Sequence, residues 1–111
     1  MYQYISEQSI YQYFGDDDPE MIKEMVDIIL VTNIKELKQL EIYYQQDDYD
    51  LIKKRCHKAK PSMSYIGALK TRKILEEMEH NFADFQRLNE SLQSHLNEIE
   101  TELNQFLETI N

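Results

Sequence analysis

His57 lies in the longest part of the chain that contains no carboxylate. Residues 51–75 hold eight of the twelve lysine and arginine residues and none of the 21 aspartate and glutamate residues. This segment therefore carries +8, and the remaining four cations and 21 acids carry −17, giving the net charge of −9. A neutral imidazole is a nucleophile, and ammonium groups beside it attract and hydrogen-bond anions. The combination predicts a site where a histidine meets an anionic group, and a phosphoryl group is the leading candidate.

The spacing around His57 predicts where its side chain lies on a helix. A buried stripe with helical period comprises Ile52, Cys56, Ala59 and Met63. At about 100° per residue, His57 lies roughly 120–140° from this stripe, on its exposed flank. Lys53, Lys60 and Ser64 project in nearly the same direction, one or two turns away. The basic outer face of an ordinary surface helix has the same charge pattern, so charge alone leaves that alternative open.

Helical periodicity and capping residues predict the elements that position this flank. We expect helices over about 4–14, 19–45, 49 through His57, 65–82 and 85–110. Asp18 is the predicted N-cap of the second helix, with Pro19 at its first position, and Asp47-Asp48 caps the third. Pro61 is expected either to kink the third helix or to weaken or end it near Lys60. The predicted fold is all-α, an antiparallel four-helix bundle with a short N-terminal helix, in a single domain over residues 1–111.

Composition excludes several classes of protein. Two glycines and two prolines provide few turns for a sheet. The single cysteine, Cys56, excludes an internal disulfide and is compatible with a reducing cytoplasm, where we expect the protein to be located. No stretch approaches the apolar length of a membrane span, and the acidic net charge argues against nonspecific binding of nucleic acid. The sequence therefore predicts an intracellular domain that binds neither membrane nor nucleic acid.

The twelve residues from His57 to Ala68 carry a recognisable pattern. Lys60, Ser62 and Gly67 follow the histidine at +3, +5 and +10. This pattern resembles the signature of histidine-containing phosphotransfer (HPt) domains, which also has a glycine at +4, where this chain has Pro61. The resemblance extends over the whole chain, including the Asp-Pro-Glu start of the second helix and the Met-Glu pair at residues 78–79.

The resemblance implies a function and a partner. Such domains have no kinase activity of their own, so the chain is expected not to be an enzyme. They accept a phosphoryl group from an aspartate of a receiver domain and pass it to another receiver. The expected partners are response-regulator receiver domains or a hybrid histidine kinase. No cofactor is expected on this chain, because the magnesium ion belongs to the receiver.

The resemblance also implies roles for individual residues. His57 would accept the phosphoryl group through Nε2, Lys60 would neutralise the phosphoryl oxygens, and Glu79 would hydrogen-bond the other ring nitrogen. Ser62 would form hydrogen bonds within its own helix. The remaining residues expected at the binding surface are Lys53, Pro61, Ser64 and Gly67.

Pro61 is the departure from the family pattern, and it supports a second hypothesis. The family's glycine leaves room for a receiver to approach the imidazole, and a proline ring fills part of that room. The alternative function is a non-catalytic helical module that binds a receiver or another partner without accepting phosphate.

The other reactive residues do not predict a second functional site. Glu77 and His80 form one Glu-x-x-His motif, but a carboxylate-bridged metal site needs two, so no metal site is expected. His80 and His95 are expected to be solvated. Cys56 lies on the buried stripe and is expected to act as a small hydrophobic residue.

Overall fold

The computed structural model describes residues 2–110, and all regular structure in this range is helical, as predicted. The elements are α1 (Glu7–Phe14), α2 (Pro19–Ile28), a π-helical segment (Ile29–Ile34), α3 (Lys35–Leu37), α4 (Leu40–Gln45), α5 (Tyr49–Tyr65), α6 (Leu69–Met78), a 3₁₀ turn (Phe82–Asp84) and α7 (Phe85–Thr109). Within these residues, no helix has the length and apolar character needed to cross a membrane.

Side-chain caps fix the first residues of three helices. The Asp18 carboxylate accepts a hydrogen bond from the Met21 N–H at 3.1 Å, and the Asp48 carboxylate accepts one from the Leu51 N–H at 3.2 Å. The prediction of these two caps is confirmed. Helix α1 begins at residue 7 rather than 4, because Ser6 is its N-cap and accepts from the Ser9 N–H.

The helix predicted over residues 19–45 is not continuous. A π-helical segment follows α2, and a second break at Lys38 and Gln39 separates α3 from α4. The wider π turn shifts the register of the side chains by about one residue. Asn33 and Ile34 are therefore both buried, whereas Val31 is 66% exposed.

Helix α5 continues through Pro61 to Tyr65, so it does not end near Lys60. It ends at Gly67, whose φ of 76° lies in the left-handed region. The Ala68 N–H there donates to the Met63 carbonyl at 2.7 Å, which satisfies one of the last carbonyls of α5. Helix α6 accordingly runs from residue 69 to 78, shorter than the predicted 65–82.

The long helices pack side by side around one apolar core. Helix α5 packs against α6, α6 packs against α7, and the π segment contacts both α5 and α7. Helix α7 runs over 25 residues, as predicted, in a molecule with extents of 44 × 22 × 19 Å. Its fully buried residues include Leu92, Leu96, Ile99, Leu103 and Phe106.

The chain before α1 is fixed to α7 by a buried carboxylate. Glu102 accepts hydrogen bonds from the backbone N–H groups of Gln3, Tyr4 and Ile5 at 3.0, 2.9 and 3.1 Å. The next N–H, that of Ser6, donates to the Ile66 carbonyl at 2.8 Å. These bonds fix the segment between the C-terminal helix and the end of α5.

Candidate functional site

The His57 side chain lies on the outer face of α5. Its side chain is 75% exposed, whereas the four residues of the predicted stripe, Ile52, Cys56, Ala59 and Met63, are buried. The predicted placement of the histidine on the flank of the helix is confirmed. A partner molecule therefore has direct access to the imidazole.

One side of the imidazole faces a buried carboxylate from the end of α6. Nδ1 of His57 lies 3.4 Å from Oε1 of Glu79, whose side chain is 6% exposed. The Lys60 ammonium lies 3.1 Å from Oε1 and 3.2 Å from Oε2, so it faces both oxygens. Burying a charged group is costly unless it is paired, and Lys60 supplies the pairing here.

The surroundings of Glu79 Oε1 favour a proton on the ring nitrogen that faces it. Among residues 2–110, Oε1 has no well-aligned hydrogen-bond donor, although the Lys60 ammonium lies within ion-pair distance. A proton on Nδ1 would be a donor on the side of the ring that faces this oxygen, with the two heavy atoms 3.4 Å apart. In the neutral ring, Nε2 then carries the lone pair, on the side of the imidazole away from Glu79.

His57 also lines a shallow depression of about 460 Å³. It is lined by Asp50, Lys53, Lys54, His57 and Lys58. Lys53 and Lys54 are exposed, and neither forms an ion pair within the described part of the chain. Lys58 is 3.4 Å from Glu36. Two cations without an ion-pair partner among the described residues thus share a depression with His57.

Polar contacts hold α5 to the neighbouring helices on both flanks. Toward the π segment, the Ser62 hydroxyl donates to Asn33 Oδ1 at 2.7 Å. Toward α6, Arg72 donates to the Ser64 hydroxyl and to the Lys60 carbonyl, the latter at 3.4 Å. Ser62 thus bonds to another helix rather than within its own, and Ser64 is turned toward α6 rather than toward His57. These contacts fix the rotation of α5 about its axis.

Pro61 and Gly67 occupy different surroundings. Pro61 is exposed on the outer face of α5, near the direction of His57. Gly67 lies at the end of the helix, and a Cβ built there would be 2.5 Å from the Cβ of Ser6. Its left-handed backbone and this close approach give Gly67 a structural role that is independent of any partner.

The other candidate side chains are not arranged for catalysis. Burial raises the pKa of the Cys56 thiol to about 12, so the thiol stays protonated at neutral pH. His80 is exposed, as predicted. His95 is not solvated as predicted: it is half-buried, with Nδ1 2.9 Å from the Thr71 hydroxyl. Within residues 2–110, no cluster of three or more histidine, cysteine, aspartate or glutamate side chains is arranged to hold a metal.

Two residues that support the site were not predicted. Asn33 lies on the apolar stripe of the second helix, and a polar residue in such a stripe indicates a buried partner without identifying it. In the sequence, Arg72 is one of the eight cations of the basic segment 51–75. Its contacts with α5 depend on how α6 packs, which the spacing within one helix does not determine.

Comparison with known proteins gives no match to a protein-family model, to a curated protein or to a solved structure. The functional assignment therefore depends on the residues and on the geometry described above.

Proposed function

We propose that this protein is a phosphorelay intermediate that accepts a phosphoryl group on His57 from a receiver-domain aspartate and passes it to another receiver. The observation that supports this most directly is the exposed imidazole whose Nδ1 faces buried Glu79 and which lines a depression together with two lysines that have no ion-pair partner among the described residues. The corresponding fold is an antiparallel four-helix bundle with α1 as the short N-terminal helix. In this bundle, the segments from α2 to α4 together form one member, beside α5, α6 and α7.

The proposed step is an in-line displacement at phosphorus. Nε2 of His57 attacks the phosphorus of the aspartyl phosphate, the bond from phosphorus to the carboxylate oxygen breaks, and the aspartate leaves as a carboxylate. Nδ1 keeps its proton, directed at Glu79, so the positive charge on the phosphorylated ring lies beside a carboxylate. Transfer to the second receiver is the reverse reaction. Phosphoryl transfer depends mainly on positioning and charge stabilisation, which this site offers.

The proposal assigns the remaining chemistry to the partner. The acyl phosphate and the magnesium ion belong to the receiver domain, or to the receiver of a hybrid histidine kinase. The chain itself is proposed to have no kinase activity and to need no cofactor. A phosphorelay of this kind operates in the cytoplasm, which is the proposed location.

The test is phosphoryl transfer from a radiolabelled phospho-receiver domain. Wild-type protein is expected to acquire a label that is labile in acid and stable in alkali, as is typical of phosphohistidine. His57→Gln is expected to acquire none. His80→Gln is the matched control, because His80 is also exposed and lies 3.8 Å from Glu79. Equal labelling of His57→Gln and wild type would show that the assignment is wrong.

The exposed ring of Pro61 supports one alternative, a non-catalytic module that binds a receiver without accepting phosphate. In that case, the proline obstructs the approach of the receiver to the imidazole. This alternative predicts a stable complex with the receiver, no label on wild type, and label on Pro61→Gly. Equal labelling of wild type and Pro61→Gly would exclude it.

A further inference from the structure

We propose that Lys53 and Lys54 bind the oxygens of the phosphoryl group on His57, and that Lys60 is a positioning residue that acts through Glu79. The inference rests on the proposed function and deepens it. It differs from the family resemblance, which gives Lys60 the role of neutralising the phosphoryl group.

Lys60 is already engaged by the carboxylate of Glu79. Its side chain is 16% exposed, and its ammonium lies within 3.2 Å of both Glu79 oxygens. To bind a phosphoryl group on Nε2 instead, Lys60 would have to leave the buried Glu79 carboxylate without its cationic partner. Removing one member of a buried ion pair is strongly unfavourable. Its role is therefore to pair with the Glu79 carboxylate and to hold it beside Nδ1.

Lys53 and Lys54 lie on the turn of α5 that precedes His57 and share a depression with it. Side chains of a helix lean toward its N-terminus, so the imidazole covers the turn that precedes His57, and this turn carries both lysines. Both side chains are exposed and have no ion-pair partner among the described residues, and both line the depression beside the imidazole. Among residues 2–110, Asp50 is the one carboxylate that lines the same depression. A phosphoryl group on Nε2 thus meets two available ammonium groups and not the one held by Glu79.

The test uses phosphoramidate, a small donor that reacts with histidine without a docked receiver. Nε2 attacks phosphorus, the P–N bond breaks, ammonia leaves, and Nδ1 keeps its proton toward Glu79. Initial rates over a range of phosphoramidate concentrations give an apparent KM and a maximal rate for each variant.

Removal of the two lysines is expected to change mainly the affinity for the donor. Lys53→Ala/Lys54→Ala should raise the apparent KM about tenfold, with the maximal rate within about twofold of wild type. Lys53→Arg/Lys54→Arg should restore the KM. The charge-matched control is Lys70→Ala/Lys73→Ala, which removes two exposed lysines of the same basic segment outside the depression. The control should change neither value by more than about twofold.

Removal of Lys60 is expected to change the maximal rate. Lys60→Ala should lower it about tenfold with little effect on KM, and Lys60→Arg should restore most of it. Nitrogen NMR of the imidazole provides a second measurement that a loss of stability alone does not mimic. Wild type and Lys53→Ala/Lys54→Ala should show the Nδ1–H tautomer of His57, whereas Lys60→Ala should show a mixture.

The outcomes separate the inference from the function on which it rests. If wild type is labelled and the two-lysine variant has an unchanged KM, or if the control variant raises KM equally, the inference is overturned. The same holds if Lys60→Ala raises KM and leaves the tautomer unchanged. If wild type is labelled neither by phosphoramidate nor by a phospho-receiver, the proposed function itself fails, and the inference fails with it.

Discussion

Single residues at the proposed site meet two opposing requirements. A partner must reach Nε2 of His57, whereas the proton on Nδ1 needs a fixed acceptor. A position on the flank of α5 satisfies both, because the side chain is 75% exposed while one edge of the ring faces the buried carboxylate of Glu79. A histidine on the central stripe would lack access, and one directly opposite that stripe would lack the carboxylate. The flank position is thus a physical requirement of the proposed chemistry.

Gly67 is the residue at which the structure has least tolerance for a side chain. Its φ is 76°, and an added Cβ would be 2.5 Å from the Cβ of Ser6. Gly67→Ala is expected to lower the free energy of unfolding by about 2–4 kcal/mol, from left-handed strain together with the overlap. Urea denaturation followed by circular dichroism measures this change.

Gly67→Asn separates the two causes. Asparagine tolerates the left-handed region but has the same Cβ, so this variant is expected to remain destabilised by more than about 1 kcal/mol. Full stability of Gly67→Asn would show that the contact with Ser6 does not constrain the residue.

Among the elements, α5 carries an unusual internal proline. Pro61 has no N–H to donate to the carbonyl of His57, yet the helix continues to Tyr65. Pro61→Ala is expected to raise the free energy of unfolding by about 2 kcal/mol. The folded helix gains stability because the interior proline is removed. Part of this gain is offset, because the unfolded chain of the variant is more flexible without the proline.

Pro19→Ala is the matched control for this prediction. Pro19 occupies the first turn of α2, where no N–H is needed, so its replacement should change stability by less than about 1 kcal/mol. Urea denaturation of both variants provides the comparison. Equal effects at the two positions would contradict the explanation.

The predictability of the elements depends on whether the deciding contacts are local. The caps Asp18 and Asp48 bond three residues ahead, and the sequence alone predicted both of them. The π segment was not predicted, because it depends on which of its apolar side chains the neighbouring helices bury. The continuation of α5 past Pro61 likewise depends on packing outside the helix.

The same distinction applies to the site. The flank position of His57 follows from spacing within one helix. The bond from Ser62 to Asn33 and that from Arg72 to Ser64 join different helices, so spacing along one helix could not predict these pairs.

At the scale of the whole molecule, Glu102 joins the two ends of the chain. Its buried carboxylate accepts three backbone N–H groups from residues 3–5. Glu102→Gln keeps the shape but loses the charge and one acceptor oxygen, and it is expected to cost about 2–3 kcal/mol of unfolding free energy. Glu98→Gln, at an exposed position on the same helix, should change stability by less than about 0.5 kcal/mol. Equal unfolding midpoints of the two variants would contradict this role of Glu102.

His95 makes the stability of the molecule depend on pH. Its ring packs edge-on against Tyr4 with centroids 5.0 Å apart, and its Nδ1 lies 2.9 Å from the buried Thr71 hydroxyl. Burial, and then the nearby charge of Lys70, lower the pKa of His95 from its ordinary value of 6.5. Arg87 and Glu90 line the same surface depression.

The direction of the pH effect follows from this lowered pKa. The unfolded chain binds a proton at His95 more readily than the folded chain does. Stability is therefore complete above about pH 6.5, and it falls as the pH drops from there toward the folded-state pKa. Urea midpoints from pH 8 to pH 5 should fall less steeply for His95→Gln than for wild type. His80→Gln, at an exposed histidine, should keep the wild-type slope, because no buried contact is lost there. If the urea midpoints of wild type and His95→Gln fall equally with pH, the contact of His95 with Thr71 and Tyr4 does not oppose protonation. The loss of stability in acid would then originate elsewhere in the chain.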